Sequence, residues 1–290
     1  MATFAFANLS GSVGKTTSVV TMAVKLAAAG LRVRVIDMDP QANASTWLGY
    51  PNIEGGTTAN VLRREATIND VERPARVVQG YSDDADPEYS DDPEYLIDNL
   101  TVVPAARATL DKVMVELSAL TGGVMRLRDA LEEADPVDVT LIDGPGSNSS
   151  LVTAALIATS IDEEGPAGAW GLITCTKPSG KESEGIQALL KELTEIKKTF
   201  RIDIRLQAIV PCGVPGSGDL YPEQIKFLRE GFGDKVTPQV RRRTIVDEAY
   251  TNYLPVPFYG HRAKDVNSDY DKVIAHMSKE LGMFPALVNA

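Results

Sequence analysis

The chain has 290 residues, 43% hydrophobic and 24% charged, a composition that fits one large α/β domain and excludes a disordered or fibrous protein. No apolar run has the roughly 20 residues needed to cross a bilayer, and no basic stretch leads into an apolar core at the start, so neither a membrane span nor a signal peptide is expected. Cys175 and Cys212 lie far apart without metal-ligand spacing, as buried small residues in a reducing cytoplasm would, and His261 and His276 belong to no ligand cluster.

The first apolar run, Thr3 to Ala7, predicts a short buried strand, and a helical pattern runs from Thr17 to Ala29 with Gly30 as its C-terminal cap. Between them lies Asn8-Leu9-Ser10-Gly11-Ser12-Val13-Gly14-Lys15-Thr16-Thr17. Strand, glycine-containing loop, Gly-Lys-Thr and helix follow in the order of a phosphate-binding loop, whose amides and helix N-terminus face phosphate oxygens. On this reading Gly11, Ser12, Val13, Gly14, Lys15, Thr16 and Thr17 bind the nucleotide. Lys15 adds a cation near the β- and γ-phosphates, and the Thr16 hydroxyl ligates Mg²⁺. The usual spacing would put glycine at position 9, where Leu9 stands.

Arg32 to Asp37 predicts a buried parallel strand, and Asp37-Met38-Asp39-Pro40-Gln41-Ala42-Asn43 follows at its C-terminal end, the end at which doubly wound sheets bind ligands. Thr57 to Arg64 predicts a short helix. From Gln79 to Asn99 there are eight acids and no Lys or Arg, which accounts for all but three of the net negative charges of −11 and leaves room for a local basic patch elsewhere. That composition predicts an exposed loop or disordered insertion, or else a contact surface for a basic partner.

Leu100 to Val103 predicts a strand, and Thr109 to Glu133 carries helical spacing with a split at Gly122-Gly123. Val137 to Ile142 is the next buried strand; Asp143 at its end is placed to hold Mg²⁺, and Gly144 to Gly146 forms a switch loop that senses the γ-phosphate. Helix is expected at Leu151–Ser160, strand at Gly168–Cys175, helix at Glu182–Lys198, strand at Arg205–Val210, and helices at Pro222–Gly231 and Val266–Leu281. Arg241, Arg242 and Arg243 form the densest basic cluster. There is no internal repeat and no linker long enough to divide the chain, so residues 1–290 are expected to form a single domain.

Ser10 to Thr16 resembles the deviant Walker A loop of the ParA/MinD group, Lys-Gly-Gly-x-Gly-Lys-Thr: Gly11, Gly14, Lys15 and Thr16 match, Ser10 stands at the signature lysine and Ser12 at the second glycine. Asp37 to Asn43 resembles the Walker A′ motif of ParA proteins, and Val137 to Asp143 a Walker B element. The resemblance extends to Phe232–Val236, Arg241–Arg243 and Glu248-Ala249, and is to the smaller ParA proteins, whose chain begins on the first strand, so operator binding is not implied.

It implies a P-loop NTPase fold, a doubly wound, mostly parallel sheet with helices on both faces. The implied protein is a cytoplasmic, nucleoid-associated partition ATPase that hydrolyses ATP slowly, dimerises with ATP, binds nonspecific double-stranded DNA and is discharged by a ParB-like centromere-binding partner. Asp37 and Asp143 would then join Thr16 around Mg²⁺, Lys15 and Asp39 would be catalytic, with Asp39 orienting the attacking water, and Arg241, Arg242 and Arg243 would contact DNA. Pro211 to Pro215, with Pro211 and Val214 as its contacts, falls where the family binds adenine.

In the family the signature lysine reaches across the dimer to the partner's phosphates, and Lys177 and Lys181 are the nearest candidates to replace it. MinD-like membrane attachment is disfavoured because the tail after Gly282 is short, contains Pro285 and has no Lys or Arg. Related metabolic ligases, such as the dethiobiotin synthetase group, would not carry Asp-x-Asp-Pro-Gln-x-Asn. An ATP-binding localisation scaffold with little or no hydrolysis is the alternative function.

Overall fold

The chain folds as strands β1 (Ala2–Phe6), β2 (Val33–Asp37), β3 (Arg73–Arg76), β4 (Gly80–Tyr81), β5 (Pro87–Glu88), β6 (Leu96–Val103), β7 (Val139–Asp143), β8 (Trp170–Thr176) and β9 (Leu206–Pro211). Between and after them run helices α1 (Lys15–Ala28), α2 (Asn43–Trp47), α3 (Thr58–Arg63), α4 (Ile68–Val71), α5 (Thr109–Ala119), α6 (Arg126–Glu132), α7 (Ser150–Ala158), α8 (Gly180–Phe200), α9 (Leu220–Phe232), α10 (Ile245–Thr251) and α11 (Lys264–Lys279). The computed structural model describes residues 1–107, 109–162, 168–178, 180–217, 220–284 and 287.

Seven strands form one sheet in the order β3-β6-β2-β7-β1-β8-β9, and only β3, at the edge, runs antiparallel to its neighbour. β1, β2 and β7 are buried at every residue, which is why they read as continuous apolar runs: each needs helices over both faces. On one face α1 packs with α10 and α11 around Val19, Met22, Leu26, Tyr270 and Met277. On the other, α3 and α5–α8 bury Leu62, Val113, Leu127, Leu156 and Ile186. The predicted break in the helical stretch after residue 109 is present, with α5 ending at Ala119 and α6 starting at Arg126.

Two regions differ from the expectation. Arg73–Arg76, with two arginines and Pro74, carries no strand signal, yet it pairs with β6; proline is tolerated there because the strand is an edge. The acidic segment is not a structureless loop. β4 and β5 pair within it, and β6 begins at Leu96, four residues before the expected start.

The segment's acids remain exposed while its tyrosines hold it down. Tyr81 donates to the Asn252 carbonyl at 2.7 Å. The Arg76 guanidinium lies between the rings of Tyr50 and Tyr89, at 4.4 and 5.4 Å, and pairs with Asp91 at 2.8 Å.

One buried ion pair lies inside the sheet layer. Arg34 on β2 is 1% exposed; its Nε and Nη2 donate to the two Glu72 carboxylate oxygens at 2.8 and 2.7 Å, and Nη2 also donates to the Asp135 carbonyl at 2.9 Å. The Thr101 hydroxyl donates to the same carboxylate.

Candidate functional site

The C-terminal ends of β1, β2, β7, β8 and β9 meet along one edge of the sheet, and the loops that follow them line an open cleft of about 1060 Å³. Gly11 to Thr17 form one wall of the cleft and Asp39, Lys177, Gly213 and Arg241–Arg243 its rim. The phosphate loop bends through left-handed backbone at Ser12 (φ 57°) and Gly14 (φ 94°). A side chain at Gly14 would begin 3.0 Å from the Cys212 Cβ, so that position needs glycine for room as well as for conformation. Ser12 adopts the same region with a Cβ, at a cost of about 1 kcal/mol.

Lys15 is 7% exposed, and its Nζ lies near the switch loop: a Cβ at Gly146 would be 3.5 Å from it. Parallel pairing of β2 with β7 sets Asp37 opposite Asp143, and pairing of β1 with β7 sets Phe6, two residues before the loop, opposite Asp143 as well. The Thr16 hydroxyl donates to Asp143 Oδ2 at 2.7 Å, whereas Asp143 Oδ1 is buried with no hydrogen-bond partner among the described residues. Asp37 Oδ2 accepts from the Ser45 amide (2.8 Å) and hydroxyl (2.6 Å), and Oδ1 from the Asp39 amide at 3.1 Å.

Both aspartates are completely buried. Burial pushes the Asp37 carboxyl up to about 6 against these hydrogen bonds, with the Asp39 charge adding to the rise. Burial, and then the Asp37 charge, push Asp143 well above the usual carboxylate range. Two buried anions, a hydroxyl and an unused carboxylate oxygen form a hard, oxygen-only donor set, which fits Mg²⁺. Asp39 differs from them: it is half-buried on the cleft wall, and its Oδ1 accepts from the Gln41 amide at 2.9 Å.

Other sequence-predicted residues are placed as follows. Pro211 ends β9 and Val214 is buried; their neighbours Cys212, Gly213 and Pro215 line the cleft. Both cysteines are buried free thiols, with Sγ atoms 3.4 and 3.5 Å from the Ser18 hydroxyl. Lys177 is exposed on the cleft rim, while the side chain of Lys181 lies outside the described residues, as do Pro285 and most of the C-terminal tail.

Two of the three arginines are engaged by α11. Arg241 donates to Asp269 through Nε (2.8 Å) and Nη2 (2.9 Å), and Arg243 donates to Asp265 at 2.9 Å. Arg242 makes no ion pair among the described residues. α10, which follows the arginines, is tied to α2 beside the Asp39 loop. Trp47 Nε1 donates to the Ala249 carbonyl at 2.9 Å, and its ring meets Tyr250 edge-on at 5.7 Å. The Tyr250 hydroxyl donates to Asn43 Oδ1 at 2.8 Å.

Comparison with known proteins agrees with this geometry. The family model described as an AAA domain matches residues 1–206. Over 260 residues the chain is 30% identical to the chromosome partitioning protein ParA of Caulobacter vibrioides, covering 88% of this chain and 86% of that one. It is 26% identical over 276 residues to the sporulation initiation inhibitor protein Soj of Bacillus subtilis, with 93% and 97% covered. Among solved structures, the Cyanothece McdA–ATP complex matches in fold with a TM-score of 0.74 at 18% identity, over 98% of this chain and 97% of that one. Among the described residues no helix is long and apolar enough to cross a membrane.

Proposed function

The chain belongs to the ParA-type family of P-loop ATPases, and from that membership we propose a DNA-partition cycle for it. The protein binds ATP with Mg²⁺, dimerises in the ATP state, coats DNA without regard to sequence, and is discharged by a ParB-like centromere-binding partner, so that a plasmid or chromosomal locus is segregated on the nucleoid. The observation that carries the nucleotide part is the facing pair Asp37 and Asp143 beneath the phosphate loop, with one buried carboxylate oxygen that has no hydrogen-bond partner among the described residues.

Thr16, Asp37 and Asp143 would hold Mg²⁺, which supplies charge neutralisation at the β- and γ-phosphates. The amides of Gly11 to Thr17 cradle the phosphates, and Lys15 adds its charge to the same oxygens. Asp39 orients the attacking water from the cleft rim, holding and aiming it through its carboxylate oxygens. Pro211 and Val214 shape the base end from behind the cleft lining.

For DNA, Arg242 is the principal contact of the Arg241–Arg243 segment, because the guanidiniums beside it are already held by Asp269 and Asp265. Phosphate contacts of this kind are independent of sequence and weaken with salt. Ser10 favours a second reading, an ATP-binding localisation scaffold that barely hydrolyses, because serine delivers no charge across a dimer. In the primary reading Lys177 or Lys181 supplies that charge in trans.

The test is dimerisation and binding to random-sequence duplex with ATP, ADP and no nucleotide, alongside steady-state ATPase with and without DNA. ATP-specific dimerisation and DNA binding with measurable turnover support partition. ATP binding without DNA binding rejects it. With wild-type DNA affinity in Arg242→Glu, Arg242 drops out as the contact, and wild-type turnover in a Lys177→Ala/Lys181→Ala double variant eliminates both lysines.

A further inference from the structure

Asn8 opens the phosphate loop and is completely buried. Both ends of its side-chain amide are in use: Nδ2 donates to the Cys175 carbonyl at 2.6 Å, and Oδ1 accepts from the Ser10 amide at 2.8 Å. The first bond reaches the end of β8, two residues before Lys177; the second sets the first turn of the loop that carries Lys15. A single side chain therefore fastens two loops of the cleft to one another.

Helix α8 closes over the same amide. Gly185 lies inside this helix, where glycine is disfavoured relative to alanine. A Cβ there would lie 2.5 Å from Asn8 Oδ1 and 3.0 Å from Ser10 Oγ. The Asn8 amide is thus held between the loop, the strand end and the backbone of α8, and Gly185 is the residue that leaves room for it.

We propose that Asn8 is a positioning residue for nucleotide binding, fixing the first turn of the phosphate loop against β8 and α8, with Gly185 as the clearance that makes the fit possible. The chemistry demands an amide. Aspartate could accept from Ser10 but would set a carboxylate oxygen against the Cys175 carbonyl, and alanine would leave a buried N–H and a buried C=O without partners. This inference rests on the assignment of residues 8–17 as the phosphate loop.

The experiment titrates a fluorescent ATP analogue with Mg²⁺ into wild type, Asn8→Ala, Gly185→Ala, the double variant and Lys15→Ala, and records melting temperatures with and without nucleotide. Asn8→Ala and Gly185→Ala should each weaken binding by about tenfold or more, since a misset loop loses the value of at least one good hydrogen bond. In the Asn8→Ala background the further effect of Gly185→Ala should fall below about threefold, because the closest clash of the new methyl group, with the Asn8 amide, is gone and the Ser10 hydroxyl can rotate away.

A positioning role shrinks the melting shift that nucleotide induces; a purely structural role lowers the nucleotide-free melting temperature and leaves that shift intact, which would overturn the proposal. Should Gly185→Ala fail to fold, Asn8→Ala alone decides: wild-type affinity there, with Lys15→Ala weakened, sinks this inference and spares the loop assignment. Wild-type affinity in Lys15→Ala sinks the assignment itself.

Discussion

Strand β2 carries two buried charges three residues apart, Arg34 and Asp37, and their surroundings are opposites. Arg34 is paired with an opposite charge, with a bidentate carboxylate and a carbonyl within 2.9 Å. Asp37 faces another buried carboxylate, Asp143, and between them one oxygen has no partner among the described residues. A fold can keep a charge in its interior when the ion pair is complete, and such a pair is structural. Like charges held together without a partner cost stability, and a protein retains them where an incoming ion will complete the set.

That contrast can be broken at either end. The largest effect is expected at the complete pair. Glu72→Ala should cost about 3–5 kcal/mol in urea unfolding, because a buried guanidinium is left uncompensated. Replacing both partners by apolar residues of similar volume (Arg34→Met with Glu72→Leu) should recover most of that loss, and a double variant as unstable as the single one would contradict the assignment of the pair as structural.

The incomplete pair should give a pH dependence of opposite sense to that of an ordinary paired carboxylate. Burial holds the Asp37 carboxyl at about 6, above the roughly 4 of an unfolded chain, so the folded state keeps a proton that the unfolded state has released. Without Mg²⁺, stability attributable to Asp37 should fall by up to about 3 kcal/mol as pH rises from about 4 to about 6. The difference between wild type and Asp37→Asn across that range isolates it, and Mg²⁺ with nucleotide should flatten it.

Asp143→Asn should make the nucleotide-free protein more stable by about 1–2 kcal/mol while removing the Mg²⁺ dependence of nucleotide binding. A destabilised variant would show that the two carboxylates do not oppose each other. The smallest expected effect is at the loop itself: Ser12→Gly should raise stability by at most about 1 kcal/mol, the strain relieved being partly offset by the entropy of glycine.

The same contrast explains what was legible in the sequence. The convergence of Asp37, Asp143, Lys15 and Thr16 on one cleft was legible because each lies at or next to the end of an element and the motif around it is contiguous. Parallel pairing then does the rest, since strands ending in Asp37 and Asp143 become neighbours. Arg34 was invisible among Val33, Val35 and Ile36: its partner, Glu72, is 38 residues away, and nothing local announces the pair. Asp265 and Asp269 were missed as partners of Arg241 and Arg243 for the same reason. β3 was hidden by Pro74 and its arginines, and the hairpin's order by its acids, although the tyrosines that pin it were a usable signal.

The contact between Trp47 and Tyr250 has an optical consequence. The chain has two tryptophans, Trp47 and Trp170, and Trp47 is buried at the seam between α2, beside the Asp39 loop, and α10, behind the arginines. In a Trp170→Phe variant, Trp47 becomes the sole indole emitter, and its quantum yield depends on the tyrosine ring and carbonyl beside it. Stopped-flow fluorescence of that variant would time any rearrangement of the seam against nucleotide addition, with no dye attached.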